Sequence, residues 1–351
     1  MGKCAQVGGQ AVLEGVMMRS PRSLAIAVRR PSNEIVVKEA VWRSIWDKLK
    51  FLRWPFLRGT VVMIEAMING MQALSFSANE AVPEEERAAA AGAPEDSGRL
   101  MFALPIIVST LLAVALFKFV PHMAATYSGL LFDDAVLTVD DVTYHFVDGA
   151  AKMLIFVAYI VAISAFKDVR RVFQFHGAEH MSIYTYEAGE ALTVDNARRK
   201  STLHPRCGTA FLMVVILIFI VVSAVVMPLA PEWAKPGEGK PWFNHVLIVL
   251  LKLPLLIPVA GVAYEFNRFA GRRAANPFIR PLLAPGLAMQ LLTTRRPDDA
   301  QIEIALVALQ TALWREQVGE SMPENDAPHV FRDFAAFESE APRFESVGSN
   351  A

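Results

Sequence analysis

His176 and His180 stand four residues apart with Glu179 between them. On a helix that spacing puts two imidazoles on one face, one turn apart, where their nitrogens can hold one divalent cation. The string His176-Gly177-Ala178-Glu179-His180 has the H-x-x-E-H form, an inversion of the zinc-peptidase signature in which the glutamate serves as general base toward water. Glu187 follows His180 by seven residues on a similar face and is the nearest carboxylate that could add a ligand.

A second cluster, His204-Pro205-Arg206-Cys207-Gly208-Thr209, offers an imidazole and a thiol directly before a long apolar run. Both are good ligands for zinc or another borderline-soft ion. Taken singly, any of these side chains does no more than bond a headgroup or fill a gap. Three of the chain's 7 histidines gathered with one of its two cysteines point instead to a bound divalent metal, zinc being the ion these donors suit. Two imidazoles alone would hold an ion weakly, so Cys207 or His204 is expected within direct reach of the His176/His180 pair.

Gly8 to Arg19 carries a further set of polar residues, Gln10, Glu14 and Arg19, among glycines and apolar residues. It lacks the Lys-Ser/Thr ending of a phosphate-binding loop and reads as a glycine turn leading into a strand. Glu265, Arg295, Asp298 and Asp299 are other polar candidates, with topology and helix capping as their ordinary roles.

These clusters have to be positioned by elements that the apolar pattern defines. Met101 to Pro121, Gly149 to Phe166, Thr209 to Leu229 and Val246 to Tyr264 are each long enough to cross a hydrocarbon layer as a helix of roughly 20 residues. Lys152 sits near the end of the second, where a long side chain can snorkel to headgroups. Pro254 and Pro258 predict a kink in the fourth. His122 to Asp148 contains aspartates but neither Lys nor Arg, whereas the connections after the second and fourth runs are rich in arginine. Positive loops stay inside, so both histidine clusters and both termini are expected in the cytoplasm.

The fold expected is a mainly α integral membrane protein, a four-span helical bundle with a small N-terminal cytoplasmic β-containing unit. Residues 1–45 form the β-hairpin unit, with Pro31-Ser32-Asn33 as a turn. Residues 46–80 form an amphipathic or interfacial helix, for which a fifth span over Phe56 to Leu74 is the alternative. Residues 81–99 are a linker, 100–267 the bundle with a cytoplasmic connection at 167–208, and 268–318 a cytoplasmic helical region. Within the last, Asp298 and Gln301 suit a capping box, and Ile302, Leu306, Leu309 and Leu313 share a stripe. Residues 319–351 read as a disordered tail.

Composition narrows the partners. The chain of 351 residues is 54% hydrophobic with a formal net charge of -1, which fits a lipid bilayer as partner and gives a nucleic acid no concentrated basic face. Cys4 and Cys207 lie in unrelated segments, so no disulfide framework is expected. The first residues show no signal peptide, and Gln6 stands where a myristoylation signal wants Ser or Thr.

With these residues in hand, the sequence resembles the YqhQ-like family of bacterial membrane proteins. The resemblance rests on Gly8 to Arg19, Phe175 to His180, His204 to Thr209, Tyr264 with Glu265, and Thr293 to Asp299, in that order along most of the chain. It implies an inner-membrane location, several spans and a conjectured metal-dependent activity, without a substrate. The residues themselves suggest a metal-dependent hydrolase at the cytoplasmic surface, with Glu179 as general base. A non-catalytic scaffold or assembly factor holding a structural metal or polar lock is the alternative. A transporter, suggested by Lys252 inside the fourth run, is the third.

Overall fold

The structure, a computed structural model, describes residues 6–85, 107–131, 136–235, 242–274, 276–321 and 327–340. Strands β1 (Gly8–Val12), β2 (Gly15–Arg19), β3 (Ser23–Arg29) and β4 (Ile35–Val41) form an antiparallel meander, and β5 (His329–Phe331) adds to β4. The turns are where left-handed backbone is needed: Glu14 has φ 49° and Asn33 φ 72°. Gly15 follows Glu14 because a Cβ there would run into the Ala27 carbonyl.

The helices that matter to the site are α1 (Leu57–Glu80), α2 (Ile107–Leu131), α3 (Val142–Ile163), α4 (Lys167–Glu187), α5 (Gly208–Val226), α6 (Phe243–Lys252), α7 (Leu256–Arg272), α8 (Arg280–Thr293), α9 (Asp299–Val318) and α10 (Phe334–Glu340). The sheet separates α4 and α9 from α1 by strict alternation. Met18 lies opposite Ala25 and Val16 opposite Ala27; these, with Ile35 and Val37, pack on Phe175, Ala178 and Met181 of α4 and on Ile302, Leu306 and Leu309 of α9. The other face, Val12, Met17, Ile26 and Val28, is covered by Ala73 of α1.

Helix α9 begins as expected, with Asp298 and Gln301 forming a reciprocal capping box. It is more than a one-stripe surface helix, because Ile304, Ala305, Val307, Ala308 and Ala312 are buried beside the expected Ile302, Leu306, Leu309 and Leu313. Near its end the buried Arg315 guanidinium donates to both carboxylate oxygens of Glu39 on β4. The expected disordered tail needs correction. Phe331 and Phe337 give residues 329–340 enough apolar surface to dock on the sheet edge and α9, while residues 341–351 lie outside those described.

Among the described residues five helices are long and apolar enough to cross a membrane by length and composition, where four were expected: α1, α2, α3, Gly208–Leu229, and Phe243–Arg272. The additional one is α1. Its buried face is polar, with Glu65, Asn69, Ser77 and Glu80, and its exposed face carries Ile64, Met67, Ile68, Met71 and Leu74. Glu65 accepts from Ser44 Oγ at 2.6 Å and Ile45 N at 2.8 Å, and Glu80 pairs with Arg30 at 2.7 Å beside the sheet. Other boundaries shift too. Helix α2 continues through His122 to Leu131, and α3 starts at Val142, so His122 to Asp148 is largely helical among its described residues. The expected kink falls between α6 and α7, beside Pro254. Lys152 does not snorkel: it is 7% exposed and bonds Asp148 one turn earlier on α3. The start of the second expected unit, Ile45 to Arg53, holds only short helical turns, and residues 86–99 of the 81–99 linker lie outside the described residues.

Candidate metal centre

Helix α4 does not continue from α3; the chain turns at Ser164 to Phe166 and restarts at Lys167. This lays α4 across the sheet, with Phe175, Ala178 and Met181 in the core and His176 and His180 toward the N-terminal end of α5. The rings of His176 and His180 lie 4.5 Å apart between centroids, as spacing of one turn predicts.

Each imidazole is oriented by a backbone carbonyl. His176 Nδ1 lies 2.8 Å from Thr293 O, and His180 Nδ1 lies 2.5 Å from Thr202 O. A carbonyl only accepts, so both Nδ1 atoms donate and, in neutral rings, both Nε2 atoms carry the lone pair. His176 Nε2 is 3.1 Å from Cys207 Sγ, while His180 Nε2 is buried with no hydrogen-bond partner among the described residues. The ligand atoms of His176, His180 and Cys207 all lie within 4.8 Å of one another. Cys207 is the N-cap of α5, its sulfur accepting from Thr209 N at 3.4 Å and facing Thr209 Oγ1 at 3.2 Å.

Gly177 explains how Thr293 reaches the site. A Cβ at Gly177 would collide with the Arg295 carbonyl, so the segment after α8 crosses α4 only over a glycine. Arg295 N donates to Phe173 O at 2.8 Å and fixes that crossing. Asp298 then caps α9, and Asp299 pairs with Arg198 at 2.6 Å.

Glu179 is 5% exposed, beside the cluster, and its carboxylate accepts from the backbone N–H of Gly9 on β1. Burial raises its carboxyl above the ordinary value, against the opposing pull of His176 and His204. Burial also holds His180 and His204 below the ordinary histidine value, which keeps them neutral. Neutral imidazoles are what a metal requires.

The other expected ligands are close but turned away. His204 has its ring 5.6 Å from that of His180, yet its Nε2 faces Glu187 at 3.5 Å and its Nδ1 accepts from Arg206 N at 3.3 Å. Gln290 of α8 holds the His204 backbone from both sides, at 2.7 Å and 2.8 Å. Glu187 pairs with Arg206 and so lies outside the trio of ligand atoms, because a guanidinium two residues from His204 claims its oxygens. The N-terminal candidates disperse. Gln10 packs against Gly70 of α1, Glu14 pairs with Arg171 at 2.5 Å, Arg19 lies 3.4 Å over the Trp42 ring, and Glu265 binds Arg58 in a two-point pair at 2.6 Å and 2.5 Å. Among the described residues these four do not come together as a second site. The sequence pattern carried no signal for Gln290 or Thr202, whose roles depend on packing, whereas Thr293 lay inside a string already singled out.

The profile of a family described as a protein of unknown function (DUF1385) matches residues 54–315. The matched stretch contains His176, His180, Cys207 and Thr293. The chain is also 31% identical over 319 residues to a protein of Bacillus subtilis (strain 168) named "Uncharacterized protein YqhQ", covering 89% of this chain and 94% of that one. No solved structure matches.

Proposed function

We propose that this chain, which belongs to the DUF1385 family of proteins of unknown function, is a membrane-embedded, metal-dependent enzyme with hydrolase-like chemistry at the cytoplasmic face of the bacterial inner membrane. One observation carries the reading. His176 and His180 each donate Nδ1–H to a carbonyl, His176 Nε2 lies 3.1 Å from Cys207 Sγ, and the ligand atoms of all three residues lie within 4.8 Å of one another. Metal-binding histidines are held in this way, with the second nitrogen fixing the tautomer. Two nitrogens and a sulfur suit zinc, and three protein ligands leave a fourth position open.

In this reading His176, His180 and Cys207 would hold the ion, which would supply Lewis acidity toward water and a bound carbonyl or phosphoryl group. Glu179 takes up the proton that water releases; its burial makes it a stronger base than an exposed carboxylate. Gly9 N–H and the core around Ala178 hold Glu179 in place. His204 and the Glu187–Arg206 pair line the near side, where a polar or anionic group of a substrate would meet the guanidinium.

Chain pairing supports the topology. Strand β4 pairs with β5, and α4 and α9 pack on the same sheet face. In this reading everything from β1 to β4, α4, and α9 to β5 shares one side of the bilayer, and an even number of crossings separates each from the next. That reading leaves one of the five apolar helices not crossing; α1, whose Ala73 packs on the sheet, is the one it assigns, and α2 with α3, and α5 with α6 and α7 together, supply four crossings.

A scaffold or assembly factor is the second reading, favoured by the closure of the cluster: His180 is 1% exposed and Cys207 8%. Closed sites are structural more often than catalytic. Cobalt substitution of purified, detergent-solubilised protein tests the metal. A sulfur-to-cobalt charge-transfer band lost in Cys207→Ser is expected, and a spectrum indifferent to that change rejects the centre. Glu179→Gln then separates the readings, because an enzyme keeps its metal and loses turnover while a scaffold keeps its metal and its cellular role.

A further inference from the structure

At the end of the bundle remote from Cys207, helices α2, α3 and α6 bring together His122, Tyr144, Asp148, Lys152, His245 and Lys252. Tyr144 packs with Met227 just past the far end of α5, ~28 Å from its start at 1.5 Å per residue over the helix. The side chains form one connected chain. Lys252 Nζ is 3.5 Å from Asp148 Oδ2 and donates to Tyr144 OH at 2.8 Å; Tyr144 OH is 2.5 Å from His122 Nδ1; His122 Nε2 is 2.9 Å from His245 Nδ1. Asp148, Lys252, Tyr144 and His122 are buried, whereas His245 is half-buried and lies beside the exposed ring of Tyr127. The chain thus runs from the middle of the bundle to its surface.

Charge makes this arrangement unusual. Lys152 and Lys252 both reach the same oxygen of Asp148. Two ammonium groups against one carboxylate leave a net charge in an apolar interior, which is costly. Lys152 makes the closer contact, so the balanced state is a Lys152–Asp148 ion pair with a neutral Lys252 amine. Asp148 Oδ1 and His145 Nδ1 are buried with no hydrogen-bond partner among the described residues.

We propose that this network is a proton-binding site of the bundle, loaded and emptied through His245. In the empty state His245 Nδ1–H donates to His122 Nε2, His122 Nδ1–H to Tyr144, and Tyr144 O–H to the neutral Lys252 amine. On loading, His245 Nε2 takes a proton from water and its Nδ1 proton passes to His122 Nε2. His122 gives its Nδ1 proton to the Tyr144 oxygen, and Tyr144 gives its former hydroxyl proton to Lys252. One proton enters, one is added to the amine, and every group between ends with as many protons as it had. Both states satisfy the same three hydrogen bonds with their directions reversed, and the loaded state is the one in which Lys252 donates to Tyr144.

The groups facing Lys252 set its response. On α2 they are Lys118 and His122, with Lys118 Nζ 4.3 Å over the Phe219 ring; on α3 they are Tyr144, His145, Asp148 and Lys152; on α6, His245. His145 is committed to Val139 O at 2.9 Å, and α5 contributes Phe219 and Ser223, neither of them charged. A buried amine that gains and loses one charge makes the bundle proton-responsive and not a passive anchor. Intramembrane ionisable groups mark such pathways.

The test is a proton-uptake titration of the full-length, metal-free protein in detergent, comparing wild type, Lys252→Met and Lys252→Arg. Over roughly pH 5 to 11.5, which brackets the histidine and lysine reference values, both variants should bind one proton fewer than wild type. The guanidinium introduced by Lys252→Arg stays charged and preserves the pair with Asp148, so that variant decides the matter if the methionine variant does not fold. Both curves superposing on wild type would overturn the site. In a pH-jump experiment with a soluble indicator dye, His245→Phe should reach the same final uptake roughly a hundredfold more slowly, the usual worth of a positioned proton donor. Uptake at the wild-type rate would overturn the route through His245.

Discussion

Gly9 of β1 lies so close to Glu179 of α4 that a Cβ built on it would fall 2.7 Å from Glu179 Cγ. Its neighbour Gly8 has nothing within 4 Å of the same position. The two glycines of one motif therefore predict opposite outcomes. Gly8→Ala should leave stability and metal content near wild type. Gly9→Ala must push a buried carboxylate aside, at a cost of about 1–3 kcal/mol for overpacking, and should also lose the N–H contact that positions Glu179. Thermal unfolding with metal analysis of both variants checks this; equal behaviour of the two alanines contradicts the contact.

Cys207 supplies the second prediction. A metal held by His176, His180 and Cys207 uses the thiolate, so it should shield Cys207 from alkylation. With Cys4 replaced by Ser, iodoacetamide labelling should be slow in metal-loaded protein and rise on chelation. His176→Ala should label fast in both conditions. Labelling unaffected by chelation would leave the cysteine as a packed side chain.

These two cases show how far residue order alone reaches. The meeting of His176, His180 and Cys207 was legible because a one-turn spacing and a span-entrance cluster each reduce to a local rule. The capping box of Asp298 was legible for the same reason. Gly9 against Glu179 was not, since the packing of a strand on a helix about 170 positions away decides it, and the carbonyls of Thr202 and Thr293 carry no residue-type signal at all. Glu187 looked like a ligand from its face on α4, but Arg206 competes for it through the fold. Lys152 read as a snorkelling side chain because the second apolar run was taken to begin at Gly149, past Asp148. Once α3 starts at Val142 the two become an i, i+4 pair, and the buried network follows.

The third prediction concerns the pair that ties α9 to the sheet. Arg315 is fully buried, donates to both oxygens of Glu39 and also reaches Gly319 O at 3.2 Å. Removing either partner leaves an uncompensated charge, so Arg315→Met or Glu39→Leu alone should cost about 3–5 kcal/mol. The double variant should recover much of that loss, because two apolar side chains of similar size replace the pair. Chemical denaturation followed by intrinsic tryptophan fluorescence measures the cycle, and additive losses in the double variant contradict the coupling.

The last prediction separates α1 from the crossing helices. Its window of 18 residues is apolar enough to span, with a mean hydropathy of 1.3, against 3.2 for the helix that begins at Gly208. Composition alone does not distinguish a helix that crosses from one that lies flat with one face in lipid. Contacts divide the helix: Gly59 and Thr60 pack on Gly261 and Ile257 of α7, whereas Glu65 pairs with Arg19 of β2 and Glu80 with Arg30 beside β3, which favours Met67 and Met71 facing outward along the surface of the sheet. A crossing α1 would also give five crossings between β4 and β5, which pair directly. In a variant lacking both native cysteines, a fluorophore on Met71→Cys should therefore be quenched by lipids labelled near the headgroup. One on Leu154→Cys, exposed in the middle of α3, should be quenched by lipids labelled deep in the acyl chains. Deep quenching at Met71 would place α1 across the bilayer and remove the parity on which a shared side for the sheet, α4 and α9 depends.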